Sequence, residues 1–309
     1  MADERVDSEI VTQFLLNTCR LRPQLTKHTV QAAWCCANIA AQHPYNDVEA
    51  DLIPLTTGNV AEFYIEPMLP HIGDIDVMYY QNTELAIPRG HPPPTQLPVE
   101  FSDYVKVLEI NDSHLPGYVY LKSRYLLTYC PEDEKYNYVE YDEQAHVCLA
   151  KDDGRHHGPA RLTVHDSPSQ LSVDRVLCAR CLSWPSQAVD WPTCHSNYGW
   201  PDSATVDRVV NNGCDVVCVA HRQCRQDEWL SKAQFRLSFS RAEIVLINSW
   251  TQVQQIVYHM LRVFMKNERL TDSDDNTGTK VLSNYHIKTL MLWACELKPR
   301  SWWLSLIHI

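Results

Sequence analysis

The sequence predicts an α+β fold, a mixed β core flanked by helices, and three observations predict it. Helical periodicity fills roughly the first 45 residues, strand-like alternation runs from about residue 50 to about residue 240, and helical periodicity returns after residue 245. Helices and strands are therefore segregated along the chain, which argues against an alternating α/β sheet. The 309 residues, 45% of them hydrophobic, suffice for one large domain or two closely packed lobes. We divide the chain into N-terminal helices over 1–48, a core over 49–245 and a helical region over 246–309.

The elements follow in order. Ile10, Phe14 and Leu15 share one helical face. A second helix starts near Thr26, carries Val30, Ala33, Trp34, Ala37 and Ala41 at helical spacing, and ends at His43-Pro44. In the core, residues 88–98 (PRGHPPPTQLP) are too rich in proline for regular structure. His114-Leu115-Pro116-Gly117 lies between alternating apolar flanks and predicts a hairpin. Residues 131–157 read as a polar, exposed stretch in which Tyr136, Tyr138 and Tyr141 pack locally. Beyond residue 245, Val253, Ile256, Val257, Met260, Leu261 and Phe264 form one apolar stripe, and Ile287, Leu290, Met291, Ala294 and Leu297 another, with a loop at 271–279 between them. The apolar ending SWWLSLIHI reads as a truncated or chimeric terminus, so the last helical region is expected to be incomplete.

Composition excludes several classes. Charged residues make up 21% of the chain, unlike a disordered acidic chain, and a net charge of −11 counts against strong sequence-independent binding of nucleic acid. No apolar run approaches the roughly 20 residues that span a bilayer, and the opening MADERVDSE is unlike a signal peptide. The 12 cysteines sit in apolar segments such as AAWCCANIA, as reduced core thiols do; this favours a cytoplasmic protein, with nuclear residence left open.

Four segments carry chemistry. In Gly73-Asp74-Ile75-Asp76-Val77-Met78-Tyr79, strand alternation puts Asp74 and Asp76 on one face and Ile75, Val77 and Tyr79 toward the core. Two carboxylates on one face of an apolar strand repel each other, and a divalent cation such as Mg²⁺ is the usual reason to keep them, although a bare D-x-D is more often a solvated strand face. Thr56-Thr57-Gly58-Asn59 upstream offers close backbone approach at Gly58 and polar groups for a triphosphate. Asp174, in the apolar strand pattern Leu171–Leu177, supplies a third acid of the kind two-metal phosphoryl chemistry uses. In Phe235-Arg236-Leu237-Ser238-Phe239-Ser240, Arg236, Ser238 and Ser240 share one strand face, which suits a base or phosphate.

Taken together, the order Gly58-Asn59, Asp74-x-Asp76, Asp174, RLSFS with Glu243 three residues on, and Ser283-Asn284-Tyr285-His286-x-Lys288-Thr289 resembles cyclic GMP–AMP synthase and its animal relatives, the cGAS-like receptors and Mab-type proteins. The resemblance runs from the second helix to about Leu297. It implies a bilobal nucleotidyltransferase core with a mixed sheet, followed by a helical domain. It also implies Mg²⁺ or Mn²⁺ at Asp74, Asp76 and Asp174, which serve as catalytic residues. Thr57, Gly58 and Asn59 would attend the donor triphosphate, and Arg236, Ser238, Ser240 and Glu243 the acceptor nucleotide. Tyr285 would stack on a base, Asn284 and Lys288 would lie near phosphate or ribose, and Arg262 would stand where the family has a phosphate-binding lysine.

The implied activity is the joining of ATP and GTP, or other nucleoside triphosphates, into a cyclic dinucleotide second messenger for innate immunity. It would be switched on by a sensed ligand such as double-stranded RNA or DNA, and a downstream receptor would be reached only through the product. The rival reading is an inactive Mab-type binding or scaffold protein. Three departures bear on the choice: Asn59 stands where the family has serine, residues 241–252 (RAEIVLINSWTQ) lack the His/Cys zinc insertion of the vertebrate enzyme, and the family continues through further helices past the position where this sequence stops. Cys214, Cys218, His221 and Cys224 have compact but irregular spacing, and NNGCDVVCVA reads as a buried strand, so no structural zinc is expected.

Overall fold

The computed structural model describes residues 52–58, 61, 74–141, 162–165, 172–194, 198–224, 229, 233–268, 270 and 282–303. The two expected N-terminal helices, the loop at 271–279 and the terminal LSLIHI lie outside these residues, as do Asn59 and the side chains of Thr56 and Asp74.

Nine strands form one mixed sheet: β1 (Leu52–Thr57), β2 (Asp74–Pro88), β3 (Tyr104–Asp112), β4 (Tyr118–Cys130), β5 (Lys135–Glu140), β6 (Leu162–His165), β7 (Ser172–Cys181), β8 (Cys214–Val217) and β9 (Gln234–Ser238). Strand β2 is the organiser. It pairs antiparallel with β1 over its first half, parallel with β3 over Glu84–Pro88, and parallel with β7 from Asp74 onward. Pairing then runs from β3 to β4, β9, β8 and β7 and so back to β2, closing a ring of six strands.

The two faces of these strands are both apolar, as the period-2 alternation of buried strands requires. One cluster takes a residue from every strand of the ring, among them Ala86, Leu108, Leu121, Ala179, Val216 and Phe235. The other comprises Met78, Tyr80, Leu85, Ile87, Val105, Val107, Leu127, Val176, Cys178 and Val217, roofed by Phe101 and Leu97 of the proline-rich loop. The expected hairpin is the β3–β4 turn, closed by the Tyr118 N–H donating to the Leu115 carbonyl at 3.1 Å.

Four helices are described: α1 (Ser203–Asn212), α2 (Ser240–Asn248), α3 (Gln252–Asn267) and α4 (Asn284–Leu297). Helix α1 starts at Asp202, whose carboxylate accepts the Thr205 N–H at 2.7 Å, and stops at Gly213 with φ of 61°. Helix α3 opens on a Thr-x-x-Gln box in which Gln254 accepts the Thr251 N–H at 2.7 Å and donates its own N–H to the Thr251 hydroxyl at 3.4 Å. Ile247, Trp250, Val257, Tyr258, Met265, Ile287, Met291, Cys295 and Trp303 join α2, α3 and α4 in a third cluster.

Several expectations are corrected. Within the exposed stretch, residues 135–140 add an edge strand, β5, to β4, where Tyr136 buries against Tyr129 at 5.2 Å while Tyr138 and Tyr141 stay exposed. Residues 203–212 break the expected run of strands as a helix, since the Asp202 cap and the spacing of Val206 and Val209 favour one. Ser240 is not on the β9 face, for β9 ends at Ser238 and Ser240 opens α2. Tyr79 is only half-buried, while Met78 and Tyr80, on the Asp76 side of β2, are core. The helical stripes are rotated: Met260, Phe264, Leu290 and Leu297 are exposed, and the buried line of α4 runs through Ile287, Met291 and Cys295.

Candidate active site

The site begins with the register of three neighbouring strands. Thr57 of β1 is the Cα partner of Asp76 in β2, and Asp76 is the Cα partner of Asp174 in β7. Laterally paired residues share a sheet face, so one row across the sheet carries a hydroxyl and two carboxylates. Asp76 and Asp174 are both half-buried, and Thr57 is buried. The Thr57 hydroxyl donates to the Asp76 carbonyl at 3.3 Å, tying the end of β1 to the acidic strand.

Gly58 follows with φ of 63°, the left-handed region that glycine enters without steric cost. A Cβ on Gly58 would lie 2.1 Å from Asp76 Oδ2, so the carboxylate rests directly against the glycine backbone. No other residue type fits between the end of β1 and the Asp76 side chain. Asp74 is the Cα partner of Ser172 at the start of the same strand pair. Its side chain lies outside the described residues, as does all of Asn59.

The second half of the site comes from β9 and α2. Ser238 Oγ lies 3.9 Å from Met78 Sδ, two residues beyond Asp76 on the same face of β2, and 3.1 Å from Ser240 Oγ. The strand-to-helix turn thus keeps the two serine hydroxyls together although they are not on one strand. Arg236, two residues before Ser238, is the Cα partner of Val217 in β8. Glu243, in the first turn of α2, accepts a 2.6 Å ion-pair hydrogen bond from Lys288 of α4. Lys288 also lies 5.8 Å from the Tyr285 ring centroid, while Tyr285 and Asn284 are exposed at the start of α4. Arg262 lies on α3 with its guanidinium over the Tyr258 ring at 5.5 Å. Helix α2 reaches the β1 side as well, for Asn248 donates its side-chain N–H to the Ala61 carbonyl at 3.3 Å. Residues distant in sequence thus meet here: Ser238 beside Met78, Ser240 beside Ser238, and Lys288 on Glu243.

A charged network farther along this same face was not anticipated from the sequence. Arg180 in β7 is the Cα partner of Asp215 in β8, which in turn partners Ser238. Asp215 is fully buried and accepts from Arg241 Nε at 2.8 Å. Arg180 donates to the carbonyls of Cys181 at 2.6 Å, Cys214 at 2.8 Å and Asn212. Burial, then the neighbouring Arg241, pushes the Arg180 guanidinium below its usual range, with Asp215 acting the other way. Arg241 also lies 5.7 Å from the Tyr80 ring centroid, and burial, with Glu100 behind it, pushes the Tyr80 phenol up to about 12. The signal in the sequence was Asp215 itself, one acid inside the apolar run CDVVC, which needs a counter-charge once buried.

The donor set of Asp76 and Asp174 is hard oxygen, suited to Mg²⁺ or Mn²⁺ rather than a soft metal. Among the described residues no group of three His, Cys, Asp or Glu side chains gathers at one point. Cys214 lies in the fully buried β8, and His221 Nδ1 accepts the Gln223 N–H at 3.3 Å. Among the described residues, too, no helix is long and apolar enough to cross a membrane.

Residues 133–249 match the sequence model of the Mab-21 protein nucleotidyltransferase domain, a span that includes Asp174, Arg236, Ser238, Ser240 and Glu243. The match supports a nucleotidyltransferase-type function, for which nucleotides are the expected substrates and divalent metals the usual cofactors. Strand β7, the β8–β9 pair and helix α2 fall within the span that matches the Mab-21 nucleotidyltransferase domain, which is consistent with a cGAS-like or Mab-21 family member.

Proposed function

We propose that the chain is a metal-dependent nucleotidyltransferase that joins nucleoside triphosphates, ATP and GTP foremost, into a cyclic dinucleotide for innate immune signalling. The observation that carries the reading is the in-register pairing of Asp76 with Asp174, with Gly58 packed against the Asp76 carboxylate. Like charges placed opposite each other on neighbouring strands cost stability, and a binding scaffold has no use for them. Asp76 and Asp174, with Asp74 beside them, would hold the metal ions. When bound, such ions stabilise charge on the attacking and leaving oxygens of a phosphoryl transfer.

The chain's own residues do the rest. Gly58 and Thr57 present backbone and hydroxyl groups at the edge of the acidic row, where a donor triphosphate would be held. Asp174 would accept the proton of the attacking ribose hydroxyl. Ser238, Ser240 and Arg236 offer hydroxyl and guanidinium donors to the acceptor nucleotide, and the exposed Tyr285 ring offers a stacking surface. Glu243 and Lys288 neutralise each other in this conformation, so a bound nucleotide would have to compete with that pair. A sensed ligand such as double-stranded RNA or DNA would order these elements. On this reading the core has two lobes, with a helical domain after it, and the protein acts in the cytoplasm.

The test is incubation of the purified chain with ATP, GTP, Mg²⁺ or Mn²⁺ and double-stranded RNA or DNA, followed by product analysis by mass spectrometry. A cyclic dinucleotide is expected from the wild type and none from Asp76→Ala. Turnover by Asp76→Ala equal to wild type would overturn the mechanism. Nucleotide binding without any product would favour an inactive scaffold.

A further inference from the structure

Strands β7 and β8 bring two cysteines face to face. Cys181 and Cys214 are Cα partners in the antiparallel pair, both fully buried and both free thiols. Opposed residues of an antiparallel pair have Cα atoms about 4.5–5.5 Å apart, within the roughly 4.4–6.8 Å that a disulfide bridges. Both belong to the same apolar cluster, so the two side chains lie on one face of the sheet. The geometry points to Cys181 and Cys214 as a reversible oxidation site, a thiol pair that a hydroperoxide converts to a cross-strand disulfide.

Three further features support this. The Arg180 guanidinium donates to the backbone carbonyls of both cysteines, fixing the two strand ends relative to one another. Gly213, next to Cys214, is packed so tightly that a Cβ would lie 2.2 Å from the Cys181 carbonyl oxygen, so the backbones are already drawn together there. The hydrogen bond from Cys214, chiefly, holds the Cys181 thiol below its ordinary range, while Cys214 is held up by the same bond and by burial. Cys181 is accordingly the attacking sulfur and Cys214 the resolving one. The pair lies where β7 ends and β8 begins, and the Cys181 thiol donates to the Ser183 carbonyl at 3.3 Å.

The step balances. The Cys181 thiolate attacks one oxygen of hydrogen peroxide, the O–O bond breaks, and sulfenic acid and hydroxide form. Cys214 then attacks the sulfenic sulfur, its proton leaves with the departing hydroxyl as water, and the S–S bond closes. Two thiols lose two electrons and two protons, and peroxide becomes two waters. A dithiol reductant reverses it. This inference stands apart from the nucleotide reading, because neither cysteine belongs to the acidic row.

The experiment treats the purified full chain with equimolar hydrogen peroxide, alkylates it under denaturing conditions, and maps the peptides by mass spectrometry with and without dithiothreitol. The expected result is a Cys181–Cys214 linked peptide lacking two hydrogens, in the majority of molecules, which dithiothreitol returns to two alkylatable thiols. Cys218, which packs on the same cluster, is the internal comparison. Cys218→Ser should leave the link unchanged and Cys181→Ser should remove it. Full alkylation of both Cys181 and Cys214 after peroxide overturns the proposal, as does a link from Cys214 to Cys218. The wild-type peptide map decides even if Cys181→Ser does not fold.

Discussion

The face of the sheet that carries Asp76 also carries Asp215, and the two ends of that face treat charge in opposite ways. At the β7–β8 end, Asp215 is fully buried between two arginines, Arg241 bonding its carboxylate and Arg180 partnering it across the strands. At the β1–β2–β7 end, two aspartates stand opposite one another and are only half-buried. The first arrangement sets one buried acid against two arginines inside the protein. The second leaves like beside like at a surface that solvent and ligands reach. The acid set against base at Asp215 serves the fold, whereas on the proposed reading the two facing aspartates serve a bound metal.

The comparison breaks most sharply under substitution at its two poles. Asp76→Ala should eliminate nucleotide transfer while the thermal midpoint stays level or rises, because it relieves repulsion. A large fall in the midpoint would mean that Asp76 is structural and that the contrast drawn here fails. Asp215→Ala should do the reverse and destabilise by about 3–5 kcal/mol, since it strands buried arginines without a counter-charge. Denaturant unfolding measures it, and a loss under about 1 kcal/mol would show that the buried pair matters little.

Gly58→Ala sits between the poles. Its left-handed backbone costs an alanine about 1–2 kcal/mol, and the new Cβ would push the Asp76 carboxylate out of place. Both stability and turnover should drop, and a variant that loses neither would contradict the close approach of Gly58 to Asp76. The smallest effect is expected at Glu84, the Cα partner of Lys106. Burial raises its carboxyl above the ordinary range, with Lys106 opposing. A folded-state value above the unfolded one means that stability falls as pH rises from the ordinary carboxyl range through the raised one, and stays lower above it. Glu84→Gln should therefore melt higher than wild type near pH 7. The gap should close as the pH approaches about 4, and a gap that does not change with pH would refute the assignment.

What was legible in the sequence was local. DIDVMYY and SVDRVLC read as strands and are strands, because alternation and β-branched residues speak through neighbours only. The Leu115–Gly117 turn was equally plain. The register that sets Asp76 against Asp174 was not, because nothing in either strand names its partner. Residues 135–140 are exposed as read, but their pairing as an edge strand was not legible, because such a strand needs only one buried side, and Tyr136 alone supplies it here. The start of α2 was misplaced because RLSFSRAEI keeps alternating across the junction, while the helix begins where Phe239 leaves extended geometry. The stripes of α3 and α4 were rotated because a helix with apolar residues on most sides does not say which side faces in; Trp293 and Leu297 lie outward while Cys295 lies inward. The Arg180–Asp215–Arg241 set needed three elements at once and could only have been suspected from Asp215.

The closing of β7 onto β2 has a consequence for how the molecule comes into being. Asp76 and Asp174 are separated by about a hundred residues of chain, and the strands that carry them run parallel, so no hairpin can deliver one to the other. The β3–β4 and β4–β5 hairpins can zip as soon as they leave the ribosome. The acidic row cannot exist until β7 has been synthesised and has found β2 over that distance, against the slow entropy of long-range closure. On the proposed reading a nascent or partly unfolded chain would be chemically silent, and the metal and nucleotide site would arrive in a single late step with the completed ring.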